Sequence, residues 1–312
     1  MENKIKIMIL CGGKFAFPTL QLLGFENFIG AVGIGNADNF IVENLEKECY
    51  KTNLPFQSFS DKKSLFNLKT WIEEIQPDYI FSISFPFLIA ADVLTYGKQK
   101  FINFHPASLP EYRGAMPIFE TIRYQERETA VSVHYIEEKF DTGAIIFKDT
   151  VKINPADTYG KLALKLSEQT AQSAINMANM LQFSSTIPST PQDEDAAYYY
   201  EKLSKFDTFV KWNQMTANEI VALINACNPW NTGADSTYMG KQIKIISAFC
   251  SNEIAIHNKN PGTILKINDN STFNIACSEN EQITIELLST DEGIMTAKQF
   301  INTKNRIGHS FI

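Results

Sequence analysis

The chain is poor in the residues that would mark a metalloprotein, a disulfide scaffold or a nucleic-acid binder. Its 312 residues include five cysteines, Cys11, Cys49, Cys227, Cys250 and Cys277, an odd number without Cys-x-x-Cys spacing. They read as reduced, mostly structural thiols of a reducing compartment. The four histidines do not cluster with them, so no zinc ligand set is visible. No apolar run approaches the roughly 20 residues of a membrane helix. The start, Met1-Glu2-Asn3-Lys4-Ile5-Lys6, lacks the apolar stretch of a secretory signal, so a cytoplasmic protein is expected. Positive charge is also scarce, with a formal net charge of −7. Residues 205–312 hold nine Lys and Arg against ten Asp and Glu, which leaves nineteen against twenty-five for the first 204. Neither part is a basic module, and that weighs against a nucleic-acid partner. Finally, Cys11-Gly12-Gly13-Lys14 is not a Gly-x-Gly-x-x-Gly loop, which disfavours a dinucleotide enzyme.

What is present is an alternation of strand-like and helical patterns. Ile5 to Leu10, Ile29 to Ile34 and Tyr79 to Ser84 read as buried strands. Helical spacing fills Phe15 to Leu23, part of Asn36 to Asn53, and Lys62 to Ile75 before Pro77. This order predicts an α/β fold with a mostly parallel sheet covered on both faces. Phe101 to His105, Ala130 to Tyr135 and Ala144 to Phe147 add strands, and Asp157 to Leu181 is a long helix with Asp157 as its expected N-cap. Residues 183–197 turn rich in Ser, Thr, Pro and acid, the composition of an exposed linker. Beyond it a helix, Thr216 to Ala226, precedes short strands at Ile243 to Phe249, Gly262 to Ile267, Thr272 to Ala276 and Gln282 to Leu288, a pattern that suits a small barrel. The expected division is a catalytic domain over 1–190, a linker over 191–204 and a smaller domain over 205–312.

Three polar residues stand out. Asn103 and His105 lie two apart on one strand and therefore share a face. Strand carboxyl ends are where open α/β sheets bind ligands. Asp141 lies in the turn Phe140-Asp141-Thr142-Gly143. Amide, imidazole and carboxylate together can run attack on a carbonyl. Taken singly, Asn-x-His is also an ordinary structural pair and Asp-Thr-Gly an ordinary turn.

The surrounding residues carry more. The stretch Asn103-Phe104-His105-Pro106-Ala107-Ser108-Leu109-Pro110-Glu111-Tyr112-Arg113-Gly114-Ala115-Met116-Pro117 resembles the signature Asn-x-His-x-Ser-Leu-Leu-Pro-x-x-Arg-Gly-x-x-Pro of folate-dependent formyltransferases. Val131-Ser132-Val133-His134 followed by Asp141-Thr142-Gly143 resembles that family's second signature, in the right order. Phe15 to Leu20 is similar to the family's first helix. Leu203-Ser204-Lys205, Val210-Lys211-Trp212, Asn228-Pro229-Trp230 and Pro261-Gly262-Thr263-Ile264 resemble the second domain of methionyl-tRNA formyltransferases, so the likeness spans the chain. One departure is Ala107-Ser108-Leu109-Pro110 in place of Ser-Leu-Leu-Pro, in the loop after His105.

The resemblance implies a Rossmann-like formyltransferase domain with an OB-like β-barrel domain behind it, and 10-formyltetrahydrofolate as co-substrate. It carries the catalytic roles onto Asn103, His105 and Asp141. It places the folate pterin against the loop Ser84 to Ile89, with Phe85, Phe87, Leu88 and Ile89, and makes the loop ending at Phe140 the opposite wall. Core packing is the competing reading of Phe85, Phe87 and Leu88. His134 reads either as a support for the site or as a buried strand histidine. The tRNA-specific members carry a basic insertion after the second strand, whereas Asn36 to Tyr50 here holds Asp38, Glu43, Glu46 and Glu48 against Lys47 alone. A polyanion needs the opposite sign. The first expectation is therefore formyl transfer to a small or carrier-bound amine, such as a nucleotide-linked amino sugar or an aminoacyl group. Transfer to methionyl-tRNA, hydrolysis of the formyl-folate, and a folate-binding module without turnover stay open.

Overall fold

The computed structural model describes residues 4–97, 100–184, 187–251, 258–301 and 306–312. Residues 1–3 of the N-terminal reading, and 185–186 within the Ser/Thr/Pro stretch, lie outside them. The chain divides into two compact units. Met1–Pro117, Glu128–Lys152 and Ala163–Tyr200 form the first, and Ile118–Arg127, Ile153–Leu162 and Glu201–Ile312 the second.

The first unit is built on β1 (Ile7–Cys11), β2 (Ile29–Gly35), β3 (Phe56–Phe59), β4 (Tyr79–Ile83), β5 (Phe101–His105), the two-residue β6 (Arg113–Gly114), β7 (Glu128–Tyr135), β8 (Ile145–Lys152) and the two-residue β9 (Tyr199–Tyr200). Seven of them form a sheet in the order β3-β2-β1-β4-β5-β7-β8. β3, β2, β1, β4 and β5 run parallel, and β7 and β8 add antiparallel. β1 is buried at every position, as a central strand covered on both faces must be, and its sequence Ile-Met-Ile-Leu-Cys is accordingly apolar throughout. Three helices, α1 (Phe17–Phe25), α2 (Asn39–Lys51) and α3 (Leu68–Ile75), connect the early strands. α3 stops at Gln76, which takes a left-handed conformation just ahead of Pro77. The short helix α4 (Ala91–Leu94) follows; α5 (Pro117–Arg123) belongs almost wholly to the second unit, and α6 (Tyr159–Phe183) to the first from Ala163 onward.

The chain leaves β1 toward β2 on one side and returns to β4 on the other, so the switch point of the sheet lies between β1 and β4. Gly12 stands there for lack of room: a Cβ on it would meet the Ser84 carbonyl oxygen at 1.8 Å. Behind this edge, Leu10, Phe59, Ile80, Phe85 and Ile89 belong to one buried cluster.

The second unit holds α7 (Ala217–Ala226), the strands β10 (Ala234–Tyr238), β11 (Lys241–Cys250), β12 (Ile264–Ile267), β13 (Phe273–Ala276), β14 (Gln282–Thr290) and β15 (Gly293–Thr296), and α8 (Ala297–Ile301). The antiparallel order is β10-β11-β14-β13-β12, with β15 on β14. The last residues join the two outer strands' ends, Phe311 bridging Tyr238 and Ser310 bridging Thr263, so the sheet curls into a small barrel. Phe273, Phe300, Phe311 and Tyr238 pack ring against ring inside it.

Two expectations need adjustment. α6 begins at Tyr159, so Thr158 holds the N-cap position and its hydroxyl accepts from the Lys161 N–H at 3.4 Å, while the Asp157 carboxylate accepts from the Asn154 N–H. The residues read as an exposed linker face solvent for the most part, yet they are bound to the first unit. Thr190 bridges Ile145, and β9 pairs in parallel with β6.

The close approach at Gly12 gives a direct check. Gly12→Ala must displace the Ser84 backbone, and overpacking of this kind costs about 1–3 kcal/mol. Urea unfolding of the variant is expected to show that loss.

Candidate active site

β5 delivers two of the three polar residues because alternate residues of a strand share a face. It pairs antiparallel with β7, which sets Asn103 opposite His134 and His105 opposite Ser132. Asp141 arrives from the connection between β7 and β8, in a left-handed conformation with φ 58°. Gly143 makes that turn possible, since a Cβ there would stand 1.8 Å from the Tyr135 carbonyl oxygen.

The structure brings Asn103, His105 and Asp141 together and adds His134. His105 Nδ1 lies 3.4 Å from Asp141 Oδ1, and His134 Nε2 lies 3.9 Å from the same oxygen. Asp141 Oδ2 accepts from the Gly114 N–H at 3.0 Å. His105 Nε2 is 2.7 Å from the Tyr112 carbonyl oxygen, and the Asn103 amide nitrogen is 3.0 Å from His134 Nε2. His134 Nδ1 in turn is 2.8 Å from the Tyr135 carbonyl oxygen.

Carbonyls accept and never donate, and this fixes the protons. His105 must carry one on Nε2. Its Nδ1 faces a carboxylate and is best matched when it is protonated too. Burial opposes the charged ring, but the Asp141 carboxylate and the Tyr112 carbonyl prevail and raise the His105 pKa above the ordinary value. His134 carries its proton on Nδ1. Burial pushes its pKa down to about 4, only partly opposed by Asp141, so the ring is neutral and Nε2 is an acceptor. The Asn103 group facing it is then the NH₂, which leaves one amide hydrogen without a partner among the described residues. Burial alone would raise the Asp141 pKa; His105, His134 and the Gly114 N–H hold it down at about 2. The centre sets an ionised aspartate against an imidazole whose protonated form it favours, beside a neutral histidine and an oriented amide.

The residues expected to line a folate site fall into two groups. Phe85 and Ile89 are buried, and Phe85 packs edge-on against Phe59 and Phe87. Leu88 is 38% exposed and Phe140 41%. Core packing thus accounts for the side chains of Phe85 and Ile89. The backbone of the same loop is differently placed: among the described residues, no hydrogen bond engages the main chain of residues 84–89.

Other participants carried no assigned role in the sequence. Gln192 Nε2 donates to the carbonyls of Asp141 and Gly143, both at 2.8 Å. Arg113, buried, donates to Gln192 and forms a two-pronged pair with Glu194. Arg113 was visible inside the motif, whereas Gln192 lies in a stretch whose composition signals only solvent exposure. Among the described residues there is no group of three or more His, Cys, Asp and Glu that could hold a metal ion. No helix among them is long and apolar enough to cross a membrane.

Comparison with known proteins agrees with this architecture. The family model "Formyl transferase" matches residues 44–177, and "Formyl transferase, C-terminal domain" matches 202–305. A methionyl-tRNA formyltransferase of Orientia tsutsugamushi is 31% identical over 75% of this chain and 74% of its own length. One from Acetivibrio thermocellus is 26% identical over 95% of this chain and 96% of its own. Among solved structures, WlaRD, a sugar 3N-formyl transferase crystallised in the presence of dTDP and 5-N-formyl-THF, superposes with a TM-score of 0.69 at 19% identity. That match covers 91% of this chain and 97% of the other. The chain belongs to the formyl transferase family of enzymes and carries both its N-terminal and its C-terminal domains.

Proposed function

We propose that this enzyme is a 10-formyltetrahydrofolate-dependent N-formyltransferase whose acceptor is a small or carrier-bound primary amine. The convergence of Asn103, His105 and Asp141 at the carboxyl end of β5 carries the reading. In the reaction the amine nitrogen attacks the formyl carbon and the carbonyl electron pair moves to oxygen. The C–N10 bond then breaks, N10 gains a proton and the former amine loses one.

Each step has a group suited to it. The uncommitted Asn103 amide hydrogen is a donor for the oxyanion. Asn103 is also the more exposed of the two β5 residues. His105, with Nε2 held by the Tyr112 carbonyl, contributes as a fixed positive charge beside the reacting carbon rather than by a direct bond from that nitrogen. The Asp141 carboxylate, directly or through one water, takes the amine proton and passes it to N10.

The fit of the folate rests on the loop after β4. Its unpaired backbone N–H and C=O groups suit the donor and acceptor edge of a pterin, because such groups need partners when covered. Exposed Leu88 and Phe140 offer apolar surface to its ring. A relative in fold was crystallised with 5-N-formyl-THF, which accords with this site.

The acceptor assignment rests on the connection between β2, ending at Gly35, and α2, beginning at Asn39. Only Asn36, Ala37 and Asp38 lie between them, and none is basic. Asp38 caps the helix by accepting from the Phe40 N–H, and Glu43, Glu46 and Glu48 follow on α2. A backbone phosphate would be repelled here. Methionyl-tRNA is the second reading, favoured by relatives of that name that match nearly the full chain.

The deciding assay follows loss of 10-formyltetrahydrofolate with no acceptor, with charged initiator tRNA, and with dTDP-linked amino sugars and aminoacyl carrier proteins. Salt-insensitive turnover on a small or carrier-bound amine is expected. Turnover that requires charged tRNA and falls steeply with salt would replace this reading by the second. Turnover without acceptor would make the protein a hydrolase, and folate binding with no turnover a binding module. With the competent acceptor, Asn103→Ala, His105→Ala and Asp141→Asn are each expected to lower kcat by about 10²–10³ in a folded protein. More than a tenth of wild-type turnover in any of them would remove that residue from the mechanism.

A further inference from the structure

We infer that Gln192 is a positioning residue for Asp141, tied by Arg113 and Glu194 into a strap that holds the carboxylate on His105. This rests on the role proposed for Asp141. The strap is the segment around 190–200, whose sequence signals an exposed connection and nothing more.

The geometry leaves Gln192 one orientation. Its amide nitrogen gives both hydrogens to main-chain carbonyls, one at Asp141 and one at Gly143, each at 2.8 Å. Its Oε1 accepts from Arg113 Nε at 3.0 Å and Nη2 at 2.8 Å. Turning the amide over would set oxygen against two carbonyls and nitrogen against a guanidinium, so donors and acceptors match one way only. The turn that Gln192 grips is the one that presents the carboxylate, with Asp141 at a positive φ of 58°, a conformation aspartate tolerates better than most residues though less well than glycine.

Arg113 is anchored at both ends. It is 5% exposed and pairs with Glu194 through Nη1 at 3.0 Å and Nη2 at 2.7 Å. Its neighbour Gly114 donates to Asp141 Oδ2, so one two-residue strand holds the carboxylate by its backbone and the strap by its side chain. The Arg113 N–H donates to the Tyr198 carbonyl, and the Tyr198 N–H to the Pro110 carbonyl. Tyr200 stacks on Tyr112, whose carbonyl receives His105 Nε2. The strap therefore touches the backbone that orients both members of the aspartate–histidine pair. Among the described residues, the titratable side chains that act on the Asp141 carboxylate are His105 and His134, and Arg113 acts in turn on His134.

The test compares Gln192→Glu, which keeps the shape and loses both donors, with Gln192→Ala and with Asp195→Ala on the same segment. Thermal melts, steady-state kinetics with the competent acceptor, and a ¹⁵N NMR titration of the His105 ring are read on each. Misplacing a reacting group by about 1 Å can cost up to ~10²-fold in rate. Both Gln192 variants are expected to lose about tenfold or more in kcat with folate KM unchanged, and His105 is expected to titrate at lower pH than in wild type. Asp195→Ala is expected to behave as wild type. A purely structural role would lower the melting temperature and leave the kcat and the His105 titration of the folded variants alone, and that result overturns the inference. The titration needs no substrate, so it judges the strap even if the proposed reaction is wrong. An Asp141→Asn variant with full turnover would instead remove Asp141 from the mechanism, and with it the role on which this inference rests.

Discussion

A carboxylate taken out of water has to be matched on every side, and Asp141 is that carboxylate. Its side chain is only 10% exposed. An ionised group so placed costs several kcal/mol unless hydrogen bonds and an opposite charge answer it. Gly114 answers from its backbone and His105 with its ring. Those answers need Gly114 close to the turn, a ring facing Oδ1, and a main chain that accepts φ 58° at Asp141. Much of the local backbone, from β6 to the Phe140–Gly143 turn, follows from meeting these demands at once.

The two histidines show how neighbours alone can give one residue type two functions. Both rings are buried and both bond a main-chain carbonyl, yet their second nitrogens face different partners. His105 faces the carboxylate, which raises its pKa against burial; His134 faces the Asn103 amide with the carboxylate farther off at 3.9 Å, so burial prevails and its ring stays neutral. The cation and the oriented amide hydrogen then lie on one face of β5, which is the arrangement an oxyanion needs. The family membership shown by the sequence matches does not itself dictate the acceptor; the surface beside β2 and α2 bears on that choice.

How much of this could be read from the sequence depended on how local the cause was. β1 was legible because it is apolar at every position and β4 because only Ser82 and the half-buried Tyr79 break its apolar run, and Asn103 and His105 shared a face by spacing alone. Asp141 was legible from its turn and motif. β3 and β10 gave no signal: Phe56-Gln57-Ser58-Phe59 is a short edge, and Ala234-Asp235-Ser236-Thr237-Tyr238 buries hydroxyls and a carboxylate that bond elsewhere, Asp235 to Thr208, Asn231, Gln242 and Lys244. The cap of α6 fell one residue from its expected place because Asp157 is used by Asn154. Gln192 was invisible for the opposite reason to Asp141. Its partners lie about fifty and eighty residues away, and no local pattern records a bond to a distant carbonyl.

The protonation of the two buried rings is the most direct test of this account, because the pairing with Asp141 and the orientation of Asn103 both depend on it. ¹⁵N NMR of the imidazole nitrogens should show His105 doubly protonated at neutral pH, titrating above the ordinary value of 6.5, and His134 protonated on Nδ1 alone down to about pH 4. A neutral His105 at pH 7, or a His134 that titrates near 6.5, would contradict it.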